Sequence, residues 1–184
     1  MFEISRLTVE HLRSGCVTDK ASPRFGFAVR SDRAGAKLVA AQLKVGDWET
    51  ALGDEAQKGT VYAGAALKPF TTYSVKLAAT DDAGETAYAK TTFETGRMGT
   101  AWKAQWITDG SYKFTEKKVS PVPMVFRKSI QTKKPVAWAR LYATAMGIYE
   151  VELDGKKLGS QYFAPGFTSY KSQLQYQTYD VTEL

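Results

Sequence analysis

Two pairs of carboxylates in this 184-residue chain sit at spacings that acid–base chemistry uses. Asp81-Asp82 are adjacent in "TDDAGETAY", and Glu150 and Glu152 lie two apart in "YEVELDGKKLGS". Adjacent residues at a hairpin tip point apart and stay hydrated, so Asp81 and Asp82 read as turn residues beside Gly84. Residues two apart on a strand share one face, which places Glu150 beside Glu152; strands routinely show such charges to solvent, and the wet face is the expectation here. A thiol nucleophile would have to be Cys16, the single cysteine, placed near the end of an expected first strand with no partner histidine nearby, so it reads as a core filler. The single histidine, His11, stands in a segment with no nucleophile-elbow pattern, which discounts a Ser-His-Asp triad. One cysteine allows no internal disulfide and, with one histidine, no four-ligand zinc cluster. No catalytic residue is assigned on these grounds.

The elements that must position these side chains are strands. Short β-rich runs separated by Gly, Asp and Pro recur along the chain, and few segments keep a helical period for three turns. The fold class is all-β. Strands are expected over Ser5–Leu12, Arg24–Arg30, Leu38–Val45, Gly59–Gly64, Thr72–Thr80 and Thr86–Glu94. In "LKPFTTYSVKLAAT", Pro69 turns the chain, Leu67 packs inward, and Tyr73 opens an alternating strand carrying Val75 and Leu77 on one face. That is the pattern of a tyrosine corner, in which a buried ring bonds its hydroxyl back to the connecting segment. With the Gly hairpin and "TTFETG" that follow, residues 1–97 resemble a fibronectin type III or immunoglobulin-like sandwich, a fold that by itself says little about function.

After Arg97 the composition changes: 14 of the 23 aromatic residues fall beyond it, which sets a second domain over 98–184. "TAWKAQWI" opens it, "TDGSYKFTEKKVSPVP" reads as a loop, and a strand begins in "VAWARLYATA". In "YEVELDGKKLGS", Tyr149, Val151 and Leu153 alternate with the two glutamates, and Asp154-Gly155 supplies a type I′ turn before Leu158 resumes.

The net charge of +6 and pI near 9.3 raise the possibility of nucleic acid. Residues 1–97 hold 13 Lys and Arg against 12 Asp and Glu, and 98–184 hold 12 against 7. The surplus lies in the pairs Lys117-Lys118, Lys133-Lys134 and Lys156-Lys157, in three separate segments expected to be loops or turns, so a solvated surface and no nucleic-acid partner are expected. No run approaches the ~18 to 20 apolar residues of a membrane span, and no membrane partner is expected. The N-terminus "MFEISRLTVEHL" places Glu3, Arg6 and Glu10 where a signal peptide needs an apolar stretch, which favours a cytoplasmic place unless a leader was removed.

The string "ARLYATAMGIYEVELDGKKLGSQYFAPGFTSYKSQLQYQTYDVTEL" is similar to the N-terminal β-sandwich module of bacterial α-L-rhamnosidases. "PRFGFAV", "GDWETALG", "VYAGAALKPFTTYSVKL", "FETG" and "AWKAQWI" fall in the order such enzymes show, so the resemblance extends loosely over the whole chain. Three positions depart from the pattern: Asp154 stands for the usual Asn, Phe167 for Trp, and Phe163 for Leu. The resemblance implies a parent glycoside hydrolase that removes terminal α-L-rhamnose with inversion. Its chemistry would lie in an (α/α)6 barrel further along the chain, where an acid protonates the glycosidic oxygen and a second carboxylate activates water. These residues contain no such barrel, so a non-catalytic structural or substrate-recognition segment is expected, partnered by the downstream catalytic barrel.

Some sandwich modules of this type bind rhamnose with the help of calcium. By that resemblance Trp106, Tyr149, Tyr162 and Tyr170 are the candidate sugar-binding residues, with Trp102 beside them. Asp154 and Glu152 are the candidate calcium ligands among the few acids, which also include Asp109, Glu150 and Asp180. Most of these rings are expected in the core or an interface, and no other cofactor is expected. Two other roles follow the same sequence: a carbohydrate-binding module acting on its own, or a fibronectin-type protein-interaction module. "YQTYDVTEL" alternates apolar and polar residues up to Leu184. It reads as a middle strand of a partial jelly-roll-like sandwich whose remaining strands lie past the chain, leaving an exposed edge near Gln177–Leu184 open to self-association.

Overall fold

The computed structural model describes residues 1–52, 59–108, 110 and 123–183, and every regular element among them is a strand. The chain divides into two compact units, Met1–Ala101 and Trp102–Leu184.

The first unit holds β1 (Phe2–Val9), β2 (Cys16–Thr18), β3 (Arg24–Ser31), β4 (Leu38–Val45), β5 (Trp48–Leu52), β6 (Thr60–Val61), β7 (Thr72–Asp81) and β8 (Thr86–Thr95). They form a three-stranded sheet, β1-β3-β6, and a five-stranded sheet, β2-β8-β7-β4-β5. Period-2 patterning makes the sandwich. Ala41, Leu43 and Val45 on β4 and Val75, Leu77 and Ala79 on β7 are all buried, while Gln42, Lys44 and Lys76 between them face water. Leu7 and Val9 on β1 and Phe25 and Phe27 on β3 belong to the same core cluster. Each buried Leu, Val or Phe among them contributes roughly 1.5–3 kcal/mol by leaving water.

Several expectations shift in detail. The first strand runs Phe2–Val9 rather than to Leu12, because the chain turns sharply at Glu10 (φ 48°) and His11 (φ 69°), and Val9 and Leu12 exchange backbone hydrogen bonds of 2.9 Å each way. Left-handed backbone at two non-glycine residues is costly. The Glu10 carboxylate offsets it by accepting from the Arg24 N–H at 2.6 Å and from Lys20 at 2.5 Å. Cys16 is therefore not on the first strand: it opens β2, which pairs parallel with β8 opposite Phe93. It is a buried free thiol, and burial pushes its pKa up, as suits a core filler. The strand expected over Gly59–Gly64 is only Thr60–Val61, and β5, absent from the expectation, forms the edge beyond β4.

The second unit holds β9 (Arg140–Ala143), β10 (Glu152–Leu153), β11 (Lys156–Lys157) and β12 (Gln177–Asp180). β9 and β12 pair antiparallel, and β10 and β11 form a hairpin whose turn residues Asp154 (φ 49°) and Gly155 (φ 76°) are both left-handed, as a type I′ turn requires. Lys156-Lys157, expected in a turn, is thus a short strand. Lys133-Lys134 is exposed outside any strand, and Lys117-Lys118 and the rest of the 111–122 stretch lie outside the described residues, as does Asp109. The expected strand around Tyr149 reduces to one bridge, Tyr149 to Ala164.

Candidate functional site

The carboxylate pairs resolve first. Asp81, expected to be hydrated, is 2% exposed. It closes the β7–β8 turn by accepting from the Ala83 N–H at 3.0 Å and the Glu85 N–H at 2.8 Å, and it pairs with Arg33 at 3.0 Å. Burial would raise its pKa, but these hydrogen bonds outweigh it and hold the carboxyl below its usual range. Asp82 meets the same guanidinium and accepts from the Lys37 N–H at 3.2 Å. Both carboxylates are thus committed to Arg33 and to backbone donors, a structural clasp. The expectation failed for Asp81 because the 33–37 loop, distant in sequence, folds over the hairpin tip. Glu150 and Glu152 are exposed as expected, and Glu150 is ion-paired with Lys157, whose pKa that hydrogen bond raises.

The four aromatic candidates occupy different settings. Trp106 is 60% exposed, outside any strand. Tyr162 is exposed, with the Lys157 ammonium 4.5 Å from its ring centroid. Tyr170 is half-buried and meets Phe167 edge-on at 6.1 Å. Tyr149 is half-buried, and its hydroxyl sits in a network, 3.0 Å from the Tyr179 hydroxyl, 3.2 Å from Gln177 Oε1 and 3.3 Å from the Ala143 carbonyl. Burial first, and Tyr179 second, push the Tyr149 phenol above its ordinary value. The Gln177 amide in turn donates to the Pro165 carbonyl at 3.1 Å. This places Tyr149 as a pin joining β9, β12 and the 164–165 turn, with its hydroxyl already spoken for. Glu152 and Asp154 are both exposed on the hairpin, and among the described residues no three His, Cys, Asp or Glu side chains gather as a metal ligand set.

A concave site that the sequence reading missed lies in the first unit. Between the Gly46-Asp47 turn joining β4 to β5 and the segment joining β6 to β7 is a cleft of about 530 Å³. Its walls are Trp48, Tyr62 and Tyr73, with Asp47 and Lys68 in the lining. Trp48 and Tyr62 meet edge to face at 4.9 Å. The Tyr62 hydroxyl donates to the Ala65 carbonyl at 2.9 Å, and the Tyr73 hydroxyl accepts from the Lys68 N–H at 2.8 Å, the tyrosine corner the sequence led one to expect. Gly64 lies flat against these rings: a Cβ there would come within 2.5 Å of the Tyr62 hydroxyl and 2.6 Å of Trp48 Cβ. The available signal was the Gly-Asp-Trp run beside "VYAGAALKP", glycine and alanine where a ring needs close cover.

Comparison with known proteins gives one consistent group. Residues 4–99 match the family described as "Rha78A-like, N-terminal immunoglobulin domain", and residues 134–184 match "Alpha-L-rhamnosidase N-terminal domain". An α-L-rhamnosidase of Streptomyces avermitilis is 57% identical over 49 residues, 27% of this chain and 5% of that one. One from Formosa agariphila is 30% identical over 151 residues, 70% of this chain and 16% of that one. Among solved structures, the α-L-rhamnosidase from Dictyoglumus thermophilum superposes with a TM-score of 0.83 at 27% identity, covering 98% of this chain and 23% of that one. The chain therefore spans from a twentieth to under a quarter of the length of these relatives.

Proposed function

Because the chain belongs to the family of α-L-rhamnosidase N-terminal segments, an immunoglobulin-like domain followed by a rhamnosidase N-terminal domain, we propose that it is a non-catalytic, structural part of an enzyme hydrolysing terminal α-L-rhamnosides. In this reading its second unit is one part of a β-sandwich that other residues of the parent enzyme complete.

The observation that carries the reading is the imbalance of apolar burial. Among its described residues the second unit buries Leu158, Ala164 and Tyr179, whereas fourteen large apolar or aromatic side chains are exposed, among them Val125 at 95% and Phe167 at 94%. The first unit, of similar length, buries a cluster of fifteen. Exposed apolar side chains in this number fit a face that other residues cover, and β9 and β12 form a two-stranded sheet, marginal by itself in water. Relatives several times longer, each named as an α-L-rhamnosidase, supply the natural source of the cover.

Amide hydrogen exchange tests it. In the chain alone, amides of β9 and β12 are expected to exchange quickly while β4, β7 and β8 stay protected; in a longer polypeptide carrying the catalytic barrel, β9 and β12 become protected too. Equal protection in both settings would sink the proposal. The chain alone is also expected to release no rhamnose from a chromogenic α-L-rhamnoside, and an enzyme-like rate would overturn that part.

A further inference from the structure

We infer that the cleft in the immunoglobulin-like unit, walled by Trp48, Tyr62 and Tyr73 and flanked by Asp47 and Lys68, is a binding site for a neutral pyranose sugar. A pyranose ring offers an apolar face of C–H groups and an edge of hydroxyls, so a site for it needs fixed aromatic surface with a few hydrogen-bonding groups at the side. The cleft has both. Its volume of about 530 Å³ lies within the roughly 300–1,000 Å³ typical of small-molecule clefts, with room for one or two sugar rings.

The aromatic surface is held still before any ligand arrives. Tyr73 stacks on Phe93 at 5.4 Å with 18° between planes, and Trp48 rests on Phe25 at 6.4 Å. Both tyrosine hydroxyls are tied to backbone in the 62–68 segment. Trp48 and Tyr73 remain only half-buried, so core packing leaves part of each ring to the cleft. Gly64 keeps that segment pressed to the rings, since any side chain there would lift it. Such preorganisation spares a weak ligand the cost of ordering its site.

The flanking groups set the class of ligand. Asp47 and Lys68 are both exposed, one anion and one cation, so the cleft carries no net charge from them. That disfavours an anionic sugar phosphate or a polycation and suits hydroxyls, which donate to a carboxylate and accept from an ammonium in charge-assisted hydrogen bonds. The choice of L-rhamnose as first probe rests on the family reading; the pyranose site does not.

The experiment is an NMR titration of the full chain, following backbone amides and indole N–H groups, with L-rhamnose, methyl α-L-rhamnoside, D-glucose and D-galactose at millimolar concentrations. The expected result is saturable shifts at Trp48 and the 45–48 and 62–71 segments with at least one of these sugars. Ala66→Trp, which fills the cleft from an exposed position, should abolish them. Asp47→Ala should weaken binding roughly tenfold or more, as loss of a charge-assisted hydrogen bond does, with the rest of the spectrum unchanged. Saturable shifts with glucose or galactose but not rhamnose still support the site and count against the rhamnoside reading alone. No shift with any sugar, shifts confined to residues 102–184, or undiminished binding by Ala66→Trp overturns the inference.

Discussion

Thr95→Val should cost the first unit about 2 kcal/mol, although valine has nearly the shape of threonine. Thr95 closes β8 and is 1% exposed. Its hydroxyl accepts from the Thr71 N–H at 2.9 Å and lies 2.5 Å from the Lys68 carbonyl and 3.1 Å from the Thr71 carbonyl, so one side chain fastens both ends of the segment that carries the tyrosine corner. Valine leaves the half-buried Thr71 N–H without a partner, and an orphaned donor of this kind costs about 1–3 kcal/mol. The Lys68 carbonyl, on an exposed residue, turns to water at little cost. For a unit of about 100 residues that loss lowers the melting temperature by roughly 10 °C. The assay is a thermal melt followed by NMR on amides of β4, β7 and β8, which assigns the transition to this unit. Thr86→Val is the control: its exposed hydroxyl pairs with that of Thr80 at 2.9 Å, and the change should stay within about 0.5 kcal/mol. If Thr95→Val melts within about 2 °C of the parent chain, or Thr95→Ser loses more than valine does, the hydroxyl is not the fastening.

The Asp81 clasp predicts a dependence on acid. Its folded pKa lies below that of the unfolded chain, so the ionised group stabilises the fold above the ordinary carboxylate value near ~4, and this is lost as pH falls through the folded value. Asp81→Asn should therefore flatten the stability profile of the first unit below about pH 4, measured by urea melts across pH; an unchanged slope would contradict the clasp. Gly64→Ala should destabilise the same unit by roughly 1–3 kcal/mol through overpacking against Tyr62 and Trp48, read by the same melts. Tyr149→Phe should remove from an alkaline absorbance titration a phenol step lying above the ordinary value near ~10. Loss of a step at or below that value instead would show the network to be absent.

The fold class and the positions of several strands were legible because a half-buried strand must alternate. Leu38–Val45 appears in the structure with the bounds its pattern suggests, and Thr72–Asp81 and Thr86–Thr95 differ from expectation by one residue each. Tyr73 announced its corner because Pro69 and the following alternation fix both the turn and the ring's direction. Less was legible where partners far apart in sequence decide. β2 is three residues, too short for a period to register, and exists because β8 offers it a parallel edge. Among the site candidates, residue type marked Tyr149 and Tyr162 alike. Only packing separates a ring whose hydroxyl is bonded to Tyr179 from one left under a lysine.

What the sequence determined by itself is what lies within a few residues: strand periodicity, the Asp154-Gly155 turn, the corner at Tyr73, and the ordered motifs by which the chain resembled its family. The tertiary structure alone decided three things. Asp81 is buried because the loop bearing Arg33 reaches across 48 residues to it. Trp48, Tyr62 and Tyr73 wall one cleft because β4, β5 and β7 are neighbours while the 62–71 segment crosses beside them. Many large side chains among the described residues of the second unit are uncovered because its described strands form only two-stranded sheets. Burial and convergence are properties of pairs distant along the chain, and a pattern of neighbours does not encode which distant segment will arrive.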